Sequence, residues 1–126
     1  TMINDVIEMH KKFGFSVEVK PVLLTKKTLN ERFVCMQEEL EEFADGIDCQ
    51  SIDHQADALI DLVYFALGTA VMMGIPWQEL WDDVHRANMA KERGITKRGH
   101  AEDLIKPEGW EAPKTRKILI GAGYEY

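Results

Sequence analysis

The stretch QEELEEFADGIDCQSIDHQADALIDLVYFALG, Gln37 to Gly68, sets Glu38, Glu39, Glu41 and Glu42 within five residues and then places Asp57 and Asp61 at the head of a largely apolar run. Side chains three and four apart share a helix face, so Glu38, Glu39 and Glu42 can converge from one helix while Asp57 and Asp61 converge from the next. An all-oxygen, strongly anionic set of this kind suits a hard divalent cation, magnesium with manganese as a possible substitute, better than zinc. Its purpose would be to hold something negative. With no other nucleophile constellation in view, the simplest chemistry is attack on a phosphate by metal-activated water, with further metal contacts neutralising the departing pyrophosphate. Glu39, at the border of the apolar stripe of its helix, is the candidate to take the proton of that water.

Other readings compete for the same residues. Glutamates on the polar side of a helix often do no more than keep it soluble, which would make the chain a non-enzymatic acidic helical interaction module. Asp57 and Asp61 sit on a helix with apolar residues on every side, which predicts a position near the interior, where an unpaired charge is costly. Arg32, Arg86 or Lys91 could supply buried ion pairs there. A di-iron carboxylate bundle also uses carboxylates on facing helices. The motif DDVH offers Asp82 three before His85, but no second acid-x-x-His pair accompanies it.

The elements that must position these groups are punctuated clearly. Apolar residues at Ile3, Val6, Ile7 and Phe13, with Gly14 as a stop, predict a first helix, and an extended link containing Pro21 follows. Thr28 is read as the cap of a second helix with apolar positions Leu29, Phe33, Met36, Leu40, Phe43 and Ile47, ending near Gly46. Ser51 caps a third helix reaching Met73 and stopped by Gly74; Pro76 then opens a fourth at its first position, running to about Glu92. Beyond Gly94 the pattern dissolves into a locally basic loop, with a short helical turn around Lys114 to Ile120 and no convincing strand pair. The expected fold is all-α, a four-helix bundle with an irregular C-terminal tail, in a single domain whose helical core covers about 1–93 and tail about 94–126.

Composition bounds the partners. A chain of 126 residues, 45% hydrophobic, can bury one sizeable core. A formal charge of −7 argues against a sequence-independent hold on nucleic acid. The start TMINDVIEMHKKFG lacks the basic end and apolar segment of a signal peptide, and the uninterrupted apolar run Leu62 to Met73 is short for a membrane span, so a cytoplasmic protein without membrane or nucleic-acid partners is expected. Cys35 and Cys49 lack metal-ligand spacing and read as free thiols. An apolar third helix together with Met72, Met73, Trp77 and Trp81 offers more apolar surface than one short bundle hides, which predicts a homodimer or a dimer of dimers.

EELEE at Glu38 to Glu42, DALIDLVYFALGTAVMMGI at Asp57 to Ile75 and VHRANMAK at Val84 to Lys91 resemble the MazG-type all-α nucleoside triphosphate pyrophosphohydrolases, closest to the small stand-alone bacterial and phage type. Relatives of that type include dimeric dUTPases, dCTP pyrophosphatases and phosphoribosyl-ATP pyrophosphohydrolase. The resemblance runs from MHKKFG at Met9 to KPEGWEAP at Lys106 to Pro113. It implies a MazG fold, oligomerisation, and a magnesium-dependent cleavage between the α- and β-phosphates that yields a nucleoside monophosphate and pyrophosphate. It matches Glu38, Glu39 and Glu42 to the first E-x-x-E motif and Asp61 to the final aspartate of the second, E-x-x-D. Ala58 stands where the second motif has its glutamate, with Asp57 one position earlier on the face of Asp61. It also implies triphosphate contacts from Asn88 and Lys91, with Arg86 and Lys106 as weaker candidates. GITKRG lacks the spacing and terminal hydroxyl of a Walker loop, so cleavage at the γ-phosphate is not expected. His10, Phe13, Tyr64 and Trp77 could meet a base, but ordinary packing accounts for each.

Overall fold

The computed structural model describes all residues, Thr1 to Tyr126, in the order α1 (Met2–Phe13), α2 (Lys26–Asp48), α3 (Ile52–Met73), α4 (Trp77–Met89), β1 (Glu92–Gly94), β2 (Asp103–Ile105) and α5 (Thr115–Gly121). The fold is all-α, as expected, with a minor two-stranded sheet. The chain divides into two compact units, Thr1–Ile75 and Pro76–Tyr126.

In the first unit, helix ends follow the local chemistry. Gly14 ends α1 at φ 75°, where its backbone N–H donates to His10 O. The Ser51 hydroxyl accepts from His54 N–H at the start of α3, and Gly74 ends that helix at φ 62°. The link between α1 and α2 crosses the end of α3: Glu18 N–H donates to Val71 O and Val22 N–H to Met73 O, satisfying carbonyls that a helix leaves orphaned. A Cβ on Gly74 would lie 2.4 Å from Lys20 O, so this crossing needs glycine.

Two readings of α2 are corrected. Its cap is Thr25, whose hydroxyl accepts from Thr28 N–H at 3.2 Å, so Thr28 lies inside the first turn. Gly46 does not stop the helix, which continues to Asp48; it is buried because a Cβ there would come within 2.9 Å of Gln55 Cγ. Gly68 plays the same part farther along α3, where a Cβ would lie 2.7 Å from Arg32 Nη2 and 3.1 Å from His10 Nε2. Gly46 on α2 and Gly68 on α3 thus let the neighbouring helices approach closely. Val6 and His10 of α1 and Ala58, Leu67, Ala70 and Val71 of α3 make up the buried core of this unit, in which α1 and α2 both pack on α3.

The expectation that α3 is buried all round does not hold within one chain. Leu59, Ile60 and Val63 are 48%, 67% and 44% exposed. Phe33, Leu40 and Ile47 of α2 are exposed as well, because α2 meets α3 through Arg32, Glu39 and Gly46 rather than through the middle of its apolar stripe. By length and a mean hydropathy of 1.6, α3 also passes for a membrane span, yet it carries Asp57 and Asp61 and packs on α1 and α2 as a bundle helix does.

In the second unit, Pro76 is the residue before α4 rather than its first, its carbonyl accepting from Leu80 N–H, and α4 ends at Met89, short of Glu92. Glu92 instead begins an antiparallel strand pair where no strand pair was expected, with Glu92 opposite Ile105, Arg93 opposite Leu104 and Gly94 opposite Asp103. Asp103 ties its connecting loop, accepting from the Thr96 hydroxyl and from Arg98 at 2.7 Å. These hydrogen bonds, the Thr96 one foremost, hold its carboxyl down at about 2. The tail is anchored to α4: Trp110 Nε1–H donates to Ala87 O at 2.7 Å, Lys114 N–H donates to the Asp83 carboxylate, and Arg86 donates to Ala112 O.

Candidate functional site

Contacts at both ends of the α2–α3 pair show that the helices run antiparallel and set their register. Near the connection, Gln55 Nε2 donates to Gly46 O at 3.0 Å and His54 Nε2 to Glu42 Oε2 at 2.9 Å. At the far end, Arg32 donates to Thr69 Oγ1 and to Phe65 O, each at 3.0 Å. Between these points the register sets Glu39 against Asp61 and brings Glu42 toward Ala58. The two carboxylate groups therefore come together because of how α2 and α3 pair, not through any local loop.

Glu39, Glu42, Asp57 and Asp61 line one cleft of about 220 Å³, with Ser51, Asp53, His54 and Ala58 completing it. Glu38 does not line the cleft, though its charge is felt at Glu39. Burial first, and then the charges of Asp61, Glu42 and Glu38, push the Glu39 carboxyl above its ordinary range. Asp57 and Asp61 are exposed, which corrects their expected place near the interior, and neither is ion-paired. Arg32 is taken up by Thr69, Phe65 O and the Phe65 ring; Arg86 pairs with Asp83; Lys91 lies over Trp110. The ion-pair reading of the aspartates thus lacks its partners.

Ala58, in the place of the motif glutamate, is buried in the wall of this cleft. Asp57 reaches the same cleft as Asp61, so the shift of one residue keeps a carboxylate there. His54 was not among the residues singled out by sequence, although it lies three before Asp57 and seven before Asp61, on their face. A count of acids alone passes over it. His10 is buried with Nδ1 2.9 Å from Ser16 O, a structural role. Asn88 is exposed and Lys91 half-buried, both in the second unit. Asp82, the acid of the di-iron reading, accepts from Gln78 Nε2 at 2.8 Å.

A larger cleft, about 620 Å³ between α4 and α5, is lined by Glu79, Asp82 and Asp83 together with Arg86, Lys114 and Lys117. Its charges offset one another, so size does not outweigh chemistry in choosing the site. The α2–α3 cleft, by contrast, is lined by five carboxylates, Glu39, Glu42, Asp53, Asp57 and Asp61, and by no lysine or arginine. Its donors are carboxylate oxygens with a single imidazole, a set that fits a hard divalent cation, although no three of them already converge as a ligand group.

An all-α chain whose paired helices bring acidic motifs together is a MazG-like superfamily protein. More narrowly, it belongs to the phosphoribosyl-ATP pyrophosphohydrolase family, whose model matches residues 6–88, from α1 through nearly all of α4. Membership makes it a pyrophosphohydrolase acting on nucleotide phosphoanhydride bonds. The matched segment contains every acidic residue named above as a candidate ligand and Asn88; Lys91 and the hairpin lie beyond it. No curated protein matches the chain.

Proposed function

We propose that the protein is a magnesium-dependent nucleoside triphosphate pyrophosphohydrolase that cleaves the α–β phosphate bond to give a nucleoside monophosphate and pyrophosphate. The observation that carries this reading is the cleft in which Glu39 and Glu42 of α2 meet Asp57 and Asp61 of α3, with Glu39 partly buried among them and placed to take a proton. Glu38, Glu39, Glu42, Asp57 and Asp61 are the residues that would hold magnesium, or manganese in its place. A cation held there would lower the pKa of a bound water and neutralise phosphate charge.

The chain's own groups do the rest. Glu39 accepts the proton of the attacking water as its oxygen bonds to the α-phosphorus. The bond from that phosphorus to the bridging oxygen breaks, and pyrophosphate leaves with the electron pair. Asn88 and Lys91 contact the phosphates, Lys91 as a point cation. The motifs that resemble the small stand-alone bacterial and phage type support assignment to that subgroup, as a cytoplasmic homodimer or homotetramer.

The family match favours a second reading, in which phosphoribosyl-ATP is the substrate and the same bond is cut. One assay tests both: a panel of canonical and modified nucleoside triphosphates together with phosphoribosyl-ATP, with magnesium, with and without chelator, and with products resolved. Monophosphate and pyrophosphate from nucleoside triphosphates support the proposal. Turnover of phosphoribosyl-ATP alone selects the second reading, and nucleoside diphosphate with orthophosphate as first products rules out both.

A further inference from the structure

Two lysines far apart in sequence meet at one indole. The register pairs Glu92 with Ile105, so Lys91 and Lys106, the next residues outward, stand opposite each other where the hairpin opens. Lys91 Nζ lies 5.3 Å and Lys106 Nζ 5.0 Å from the centroid of the Trp110 ring. That ring is held fast. Its Nε1–H donates to Ala87 O in the last turn of α4, and its backbone N–H donates to Pro107 O across a turn in which Gly109 takes φ 76°.

Like charges placed opposite each other on a ladder repel. An aromatic face attracts an ammonium without neutralising it. Neither lysine is ion-paired: the pairs present are His54–Glu42, Arg86–Asp83, Arg98–Asp103 and Lys114–Glu111. In a chain of net charge −7, this is a local concentration of uncompensated positive charge built on a rigid support. A single carboxylate would satisfy one ammonium, whereas a phosphate chain carries charge on successive groups and can satisfy two. Lysines, as compact cations on flexible stems, suit such a chain better than they suit a planar fork.

We propose that Lys91, Lys106 and Trp110 form a clasp for the polyphosphate chain of the substrate, in which Lys106 is a second phosphate-binding cation and Trp110 the positioning residue for both. The inference rests on reading the substrate as a nucleoside polyphosphate. It adds Trp110 and gives Lys106, so far only a weaker candidate, a definite place; both lie outside the segment that matches the family model.

The test uses the full chain and inorganic tripolyphosphate, titrated calorimetrically with chelator present, so that the carboxylate cleft cannot contribute through a cation. Wild type binds. Lys106→Gln weakens binding roughly tenfold, the scale of one charge-assisted hydrogen bond. Lys106→Arg retains most of it, Trp110→Leu loses as much as Lys106→Gln, and the exposed Lys97→Gln changes nothing. With magnesium, Lys106→Gln raises KM for the nucleotide by a similar factor while kcat changes less. Should Trp110→Leu fail to fold, the Lys106 variants decide the matter. Absence of tripolyphosphate binding by wild type, equal binding by Lys106→Gln, or tighter binding of an oligoglutamate peptide overturns the clasp. Tripolyphosphate binding that depends on Lys106, in a protein that hydrolyses no nucleotide, leaves the clasp standing and overturns the hydrolase reading. Hydrolysis with unchanged KM in Lys106→Gln does the reverse.

Discussion

Glu39 on α2 faces Asp61 on α3 across the antiparallel helix pair. After burial, the charge of Asp61 is the chief reason the Glu39 carboxyl holds its proton above the ordinary range. Relieving that crowding by substitution and relieving it with a cation have opposite consequences for activity.

Asp61→Asn deletes a proposed ligand and one of the crowding charges together. We expect loss of hydrolysis by at least two orders of magnitude with the fold retained, since Asp61 is exposed and makes no ion pair. Without metal the variant melts no lower than wild type, and magnesium no longer raises its melting temperature. Near-normal turnover would remove Asp61 from the ligand set.

The raised value of Glu39 fixes a sign for pH dependence. In the metal-free protein its contribution to stability is fully present below the ordinary carboxyl value of 4.5 and is lost as pH rises through the raised folded value. Protons and magnesium compete for the same oxygens, so magnesium affinity falls as pH drops through that window. Glu39→Gln removes the Glu39 part of both dependences. Thermal melts and magnesium titrations across the window, with and without the substitution, check this.

His54 orients Glu42 through its 2.9 Å contact, and such supporting contacts commonly set metal affinity. His54→Ala should weaken magnesium binding by roughly tenfold. It should lower the metal-free melting temperature little, because both partners of the pair are substantially exposed. Unchanged magnesium affinity would reduce the contact to an ordinary surface pair.

The exposed Leu59, Ile60 and Val63 of α3, with Phe33, Leu40 and Ile47 of α2, form more apolar surface than an isolated chain of this size keeps in water. We expect sedimentation at micromolar concentration to give a dimer or tetramer mass, and Ile60→Glu to reduce it. A mass of 14.4 kDa for the wild type would overturn this.

What could be read in the sequence follows the range of the forces involved. Gly14, Ser51 and Gly74 act locally at helix ends, and each is found doing so. Thr25 and Thr28 are equally able to cap, and only the ladder of bonds chooses between them. Gly46 looks like a stop, but what requires it is Gln55 of another helix, a contact no local pattern shows. The strands are too short for an alternating pattern, and the Asp103 hydrogen bonds to Thr96 and Arg98 that close their loop join residues apart in sequence. At the site, helical spacing was enough to group Glu38, Glu39 and Glu42, and Asp57 with Asp61. Which acid would be crowded depended on the pairing of α2 with α3, and His54 entered only through its contact with Glu42.

The hairpin also separates what can vary from what cannot. Because Lys91 and Lys106 flank its paired ends, residues can be inserted between Ile95 and Glu102 without changing how the lysines face one another, since the ladder absorbs loop length. A single residue inserted between Lys91 and Glu92, or between Ile105 and Lys106, would turn one lysine to the other side of the ribbon and away from Trp110. Natural length variation among chains of this kind should therefore gather at the tip of the hairpin and be absent at its base.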